Sequence, residues 1–268
     1  MGKYVEVKSI KIYYEKIGNG KPIVMIHPSG FDDRFYHKLL IFITRDITNI
    51  IVDLSGHGKS DADPNQLSGK ENAKVEFYGD YIIQSIKNLG LTKFSVLGMS
   101  LGGDIALAVG MRGNAENIIM ISSSINTRST FIEKDIENSS NSNPQTIICF
   151  AGPNADKKLV EELTWIRSAN SLEILRWDLY AWDNFDYTKK LEREINTLII
   201  RREYEQLVSK KMIEDACKYV NACKSLEFNG FGHYVLAEDP KNTVRELGKI
   251  HIKLKFILGI SILLRQYF

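Results

Sequence analysis

Short apolar runs alternate with longer helical patterns along most of this chain, and that alternation constrains its fold more than any other feature. Residues 22–26 (PIVMI), 50–54 (IIVDL), 94–97 (FSVL), 118–121 (IIMI) and 198–200 (LII) are too short for helices. They lack the polar–apolar alternation of half-exposed strands, which suits strands buried on both faces of a parallel sheet. Between them, residues 75–89 and 105–111 carry helical periodicity. Residues 4–7 and 10–14, rich in β-branched and aromatic side chains, predict an opening hairpin. The rhythm predicts an α/β fold with a doubly wound, mostly parallel sheet.

One region interrupts the rhythm. Residues 138–144 read NSSNSNP, a polar loop, and residues 156–191 are then mainly helical and hold all three tryptophans, Trp165, Trp177 and Trp182. A length of 268 residues suits one large α/β domain or two small ones. The order of the segments favours one core, residues 1–126 and 191–268, with a helical cap inserted at 127–190.

Composition excludes several classes. At 44% hydrophobic and 25% charged residues with a net charge of +2, the chain is neither disordered nor a basic nucleic-acid binder. Cys149, Cys217 and Cys223 cannot all pair in one molecule and show no CxxC spacing, so neither a disulfide framework nor a zinc site is expected. The first residues, MGKYVEVKSIKIYYEK, lack the apolar core of a signal peptide and the myristoylation pattern, so a cytoplasmic location is expected. Residues 256–264 (FILGISILL) are apolar but flanked by Lys255 and Arg265. A membrane span needs about 20 such residues, so segment 254–264 is expected to be a core helix or an interface helix, the latter suiting a homodimer.

The chemistry centres on Gly98-Met99-Ser100-Leu101-Gly102. The pentapeptide is short enough to arise by chance in a chain with 19 glycines, so its setting carries the argument. It follows the FSVL run and opens the helical pattern GGDIALAVGM. A serine on a sharp strand-to-helix turn sits in a strained backbone, and flanking glycines remove the side chains that would clash. The following helix aims its N-terminal dipole and unpaired N–H groups at the place where an oxyanion would form.

These residues resemble the α/β-hydrolase superfamily, and the resemblance covers nearly the whole chain. Ile26-His27-Pro28-Ser29-Gly30 is similar to the oxyanion loop, and Asp53 to Ser60 (DLSGHGKS) to the D-x-x-G-x-G-x-S turn. Gly98 to Gly102 matches the nucleophile elbow, and Gly232-His233 the late Gly-His of the catalytic base. Together the motifs are specific for the superfamily and unspecific for substrate.

A nucleophilic serine needs a base, and the base needs an orienting carboxylate. Of five histidines, His233 lies in the glycine-rich loop FNGFGHYVLAEDP after the strand pattern SLEF. His27 and His57 fall in landmarks that the superfamily uses structurally, while His37 and His251 fall on helical patterns and read as surface or packing residues. The resemblance places the acid after the LII strand, where Glu205 stands in the position of the usual aspartate. Glu203 is the competitor, and Arg202 replaces the usual glycine. The order Ser100, Glu205, His233 follows that of the superfamily. It implies two-step acyl transfer with oxyanion-hole N–H groups from Leu101 and Ser29, since Pro28 has no N–H to give.

The expected activity is hydrolysis of a small-molecule apolar ester, with Trp165, Trp177 and Trp182 contributing to the substrate pocket or fastening the cap. The alternatives are carbon–carbon bond hydrolysis, lactone opening, cofactor-free perhydrolysis, or a binding protein with a relic triad. No metal, organic cofactor or nucleic-acid partner is implied.

Overall fold

The computed structural model describes residues 2–43, 45–66, 69–128, 136–153, 155–189, 193–220, 222–245 and 247. An antiparallel hairpin opens the chain: β1 (Lys3–Val7) and β2 (Ile10–Ile17) turn at Lys8 and Ser9, both at positive φ. Six further strands follow: β3 (Lys21–Ile26), β4 (Ile47–Val52), β5 (Phe94–Met99), β6 (Ala115–Ile121), β7 (Asn196–Arg202) and β8 (Cys223–Phe228). They form one eight-stranded sheet in the order β1-β2-β4-β3-β5-β6-β7-β8. β2 pairs antiparallel with β4, and from β4 to β8 every pairing is parallel. The strand order reverses around β3 and β5, where the carboxyl ends of neighbouring strands open a crevice. The expected α/β architecture is the observed one.

Apolar runs without alternation are explained by burial on both faces. In β5, Val96 faces one apolar cluster and Leu97 and Met99 the other; in β6, Ile118 and Met120 oppose Ile119 and Ile121. Burying each such aliphatic side chain is worth roughly 1.5–3 kcal/mol, which fixes the strand register on both sides at once. The first cluster is closed by α2 (Val75–Asn88) and α3 (Leu101–Arg112). On α2 the buried Val75, Tyr78, Ile82 and Ile86 form one helical stripe.

β4 begins three residues earlier than expected and stops at Val52, leaving Asp53 and Leu54 in the turn beyond it. Its polar start concealed it. Thr48 Oγ1 donates to the Gly20 carbonyl at 2.7 Å, and Asn49 Nδ2 donates to the Ile17 carbonyl at 3.4 Å, so both residues are buried with partners.

Between β6 and β7 the described residues include the helices α4 (Pro144–Phe150), α5 (Lys157–Ser168) and α6 (Leu172–Asp183). Each starts at a side-chain cap, from Asn143, Asp156 and Ser171 respectively. A bridge between Asn126 and Asp186 joins the two ends of this excursion. The chain then returns through β7, α7 (Lys210–Tyr219), β8 and a short α8 (Val235–Glu238).

A disulfide joins Cys217 to Cys223, contrary to the expectation from spacing. The turn from α7 into β8 brings their Cα atoms to 5.1 Å, within reach of a disulfide, although six positions separate them in sequence. Cys149 is free and exposed. Segment 254–264 and His251 lie outside the described residues. Among the described residues, no helix is long and apolar enough to cross a membrane.

Candidate active site

Ser100 stands at the junction of β5 and α3, with φ 55° and ψ −129°. Backbone strain of this kind costs about 1–3 kcal/mol and persists only where the surroundings enforce it. Here the Ser100 N–H donates to the Ile121 carbonyl at 2.8 Å, pinning the elbow to β6. The flanking glycines are a steric necessity. A Cβ on Gly98 would lie 1.8 Å from the Gly102 oxygen, and one on Gly102 would lie 2.3 Å from the Ile26 oxygen. The close approach seats α3 with Leu101 as its first residue, so the Leu101 N–H belongs to the turn without intrahelical acceptors.

The loop after β8 carries His233. Its N–H donates to the Phe150 carbonyl at 2.7 Å. Glu238 stiffens the same loop, accepting from the Gly232 and Tyr234 N–H groups at 3.0 Å each and from the Gly152 N–H at 3.1 Å. The end of α4 is thereby joined to the histidine loop. Glu205, on the turn after β7, receives His233 Nδ1 at 2.8 Å on Oε2 and 3.0 Å on Oε1, and also accepts from the Leu207 N–H at 2.9 Å. Burial pushes the Glu205 carboxyl upward, but the imidazole beside it and its hydrogen bonds outweigh burial and hold it at about 2. Glu203 instead accepts from the Gly230 N–H at 2.9 Å. The structure brings Glu205, not Glu203, to His233.

Ser100 and His233 line one cavity of about 50 Å³, together with Ser29, Leu101, Trp182 and Arg167. Trp165 and Trp177 do not line it. Trp165 is 61% exposed on the outer side of α5 and stacks against the Arg34 guanidinium, 4.6 Å from the ring centre. Trp177 is buried against Phe77 in the core. Concentrating aromatics in one segment does not aim them at one site. Helical phase could have separated them: the buried stripe of α5 is Leu159, Val160, Leu163, Ile166 and Arg167, and Trp165 lies off it.

Behind the Ser29 loop lies a second buried network that the motifs alone did not reveal. Asp178 of α6 accepts from the Gly30 N–H at 2.8 Å, from His57 Nε2 at 2.9 Å and from the Tyr78 hydroxyl at 2.5 Å. The other His57 nitrogen faces the Ser55 carbonyl at 3.2 Å, so both ring nitrogens meet acceptors. Burial works against the charge on His57, but Asp178 outweighs it and raises the imidazole above its ordinary value. Burial likewise works against charge on Asp178, and His57 with its hydrogen bonds holds that carboxyl below the usual range. His27 accepts from the Leu54 N–H at 3.0 Å, and burial followed by the neighbouring His57 lowers it to about 4. Neutral His27 thus splints the Ser29 loop to the turn after β4.

Among the described residues, Glu15, Asp33 and His37 could together approach a cation. Asp33 already accepts from Lys59 Nζ at 2.9 Å, and none of the three lines the cavity, so the cluster reads as an ion-pair group.

No family model matches the chain. The fold is similar to that of an esterase from Exiguobacterium antarcticum, at 21% identity and TM-score 0.80, covering 93% of this chain and 99% of that one. It is similar also to a bromoperoxidase from Bacillus anthracis, at 18% identity and TM-score 0.80, covering 94% and 100% respectively. In sequence, the chain is 29% identical over 97 residues to the (E)-2-((N-methylformamido)methylene)succinate hydrolase of Acinetobacter baylyi. That match spans 36% of this chain and 34% of the relative's length. The chain has the α/β-hydrolase fold.

Proposed function

We propose that the chain is a serine hydrolase that cleaves small carboxylic esters through an acyl-enzyme, with Ser100 as nucleophile, His233 as base and Glu205 as the orienting acid. The observation that carries the reading is the 2.8 Å contact between His233 and Glu205 behind a cavity that Ser100 also lines. With Nδ1 donating to Glu205, Nε2 is the basic nitrogen. It takes the Ser100 proton as Oγ attacks the ester carbonyl, then delivers that proton to the departing alcohol. Water repeats the sequence on the acyl-enzyme, releasing the acid and restoring Ser100. The Leu101 and Ser29 N–H groups are assigned to the oxyanion, where losing one such donor typically costs about 3 kcal/mol of transition-state stabilisation.

The helices between β6 and β7 serve in this reading as a cap, supplying Trp182 to the wall of the cavity. The cavity is far below the roughly 300–1,000 Å³ of sites for drug-sized ligands, which favours a small substrate. The succinate derivative named for the Acinetobacter relative favours a second reading, in which the same acyl-enzyme forms from a substrate other than a simple ester.

The test is labelling by a fluorophosphonate together with burst release of p-nitrophenol from p-nitrophenyl acetate. Both are expected in the wild type and absent in Ser100→Ala. Labelling that survives this substitution would overturn the assignment.

A further inference from the structure

Acyl transfer as proposed leaves one group in the cavity unused. Arg167 projects from the buried stripe of α5 and is only 7% exposed. Its Nε and Nη1 are buried and have no hydrogen-bond partner among the described residues. None of the described residues lining the cavity is a carboxylate, and the nearby Glu205 is occupied by His233 and the Leu207 N–H. The guanidinium sits beside the Ser29 loop, since a Cβ added to Gly30 would lie 3.2 Å from Arg167 Nε. Burying donors of a charged group without acceptors is costly, and a carboxylate brought by a ligand would supply the acceptors that Nε and Nη1 lack.

Arg202 makes the contrast clear. It too is fully buried, and among the described residues its guanidinium nitrogens have no hydrogen-bond partner. However, it packs over the Phe228 ring, 4.1 Å from its centre, feels Glu238 and Glu205, and does not line the cavity. Burial outweighs those two carboxylates and lowers the Arg202 guanidinium to about 9, but its surroundings are the protein's own groups. Arg167 faces the space that substrate would fill.

Building on the serine-hydrolase reading, we propose that Arg167 binds a carboxylate of the substrate, so that the preferred ester is a small one carrying a negative charge close to the scissile carbonyl. The guanidinium edge formed by Nε and one terminal nitrogen matches the two oxygens of a carboxylate. The small cavity would let this contact set the position of the carbonyl over Ser100.

Two pairs of near-isosteric esters test the inference. Monomethyl succinate against methyl 4-methylpentanoate places the charge on the acyl side, and O-acetylglycolate against isobutyl acetate places it on the alcohol side. The wild type should favour one charged member by at least about tenfold in kcat/KM, the scale of one charge-assisted hydrogen bond. Arg167→Met should abolish that preference, and Arg167→Lys, which keeps the charge without the planar fork, should restore part of it. A wild type that favours neither charged ester, or a preference that persists in Arg167→Met, overturns the inference while leaving the hydrolase reading intact.

Failure of the hydrolase reading has a different signature, namely no turnover of any ester and no labelling at Ser100. Binding separates the two without turnover. Monomethyl succinate and O-acetylglycolate titrated calorimetrically into Ser100→Ala should bind at least about tenfold more tightly than into Ser100→Ala/Arg167→Met. Equal affinities, or no binding to either protein, would also refute the role of Arg167.

Discussion

The molecule contains two buried histidine–carboxylate pairs of nearly the same length, His233–Glu205 at 2.8 Å and His57–Asp178 at 2.9 Å. They differ in what surrounds them. Both nitrogens of His57 face acceptors, and Asp178 is further engaged by the Gly30 N–H and the Tyr78 hydroxyl. That pair is closed, and its charge serves to hold the Ser29 loop, the turn after β4 and α6 together. His233 commits one nitrogen to Glu205 and shares a cavity with Ser100. A short imidazole–carboxylate contact does not by itself mark a catalytic site. The distinguishing feature is a ring edge left facing a space that substrate can occupy.

The comparison can be broken most directly by neutralising each acid in turn. Glu205→Gln should lower turnover on an activated ester by on the order of 10⁴-fold while the protein stays folded, because the imidazole loses its tautomer and aim. Asp178→Asn should show the reverse balance. It removes the carboxylate that His57 Nε2 meets in the core, so it should cost about 3–5 kcal/mol, or on the order of 10 °C in Tm, with a smaller loss in kcat. Thermal melts and steady-state kinetics on both variants decide the matter, and similar profiles would erase the distinction.

pH offers a weaker but independent handle. Glu205 lies at about 2 in the folded protein against an ordinary 4.5, and Asp178 lies below its ordinary 3.8. Each therefore binds protons more readily when unfolded. Their contribution is complete above about pH 4.5 and is lost as the pH falls through their lowered values, about 2 for Glu205. His57, raised by Asp178, has the opposite sign. Its contribution is present below its ordinary 6.5 and disappears as the pH rises through the raised value. Melting temperature should accordingly drop steeply on acidification below about pH 4, and the drop should be shallower in Asp178→Asn. The smallest effect is expected from Glu203→Gln, whose carboxylate accepts from the Gly230 N–H. It should leave kcat/KM near wild type and stability within about 0.5 kcal/mol.

The sheet was legible because β3 to β7 are buried on both faces and so read as unbroken apolar runs. The starts of β4, β6 and β7 escaped; at β4, Thr48 and Asn49 mimic a loop because the carbonyls that satisfy them, on Gly20 and Ile17, lie 28 and 32 positions away. The elbow was equally legible, because the close approach of β5 and α3 leaves glycine as the residue that fits. The elements that tie the site together were not. Asp178 reaches His57 across 121 positions and Gly30 across 148, and Glu238 reaches Gly152 across 86. Such contacts exist only once the helices between β6 and β7 have folded back over the sheet. Arg167 is marked by the phase of α5, where it shares the buried face with Leu159, Leu163 and Ile166, a face that aromatic content does not reveal.

The positive φ of Ser100 sets fold and chemistry at odds within one residue. Glycine would occupy that backbone conformation at little cost, so the position is one where drift toward greater stability leads directly away from the nucleophile proposed at Ser100. Retaining serine there requires continued selection for what its hydroxyl does. Lineages released from that pressure are expected to lose the serine early, while the glycines on either side, which the packing of β5 against α3 demands, outlast it.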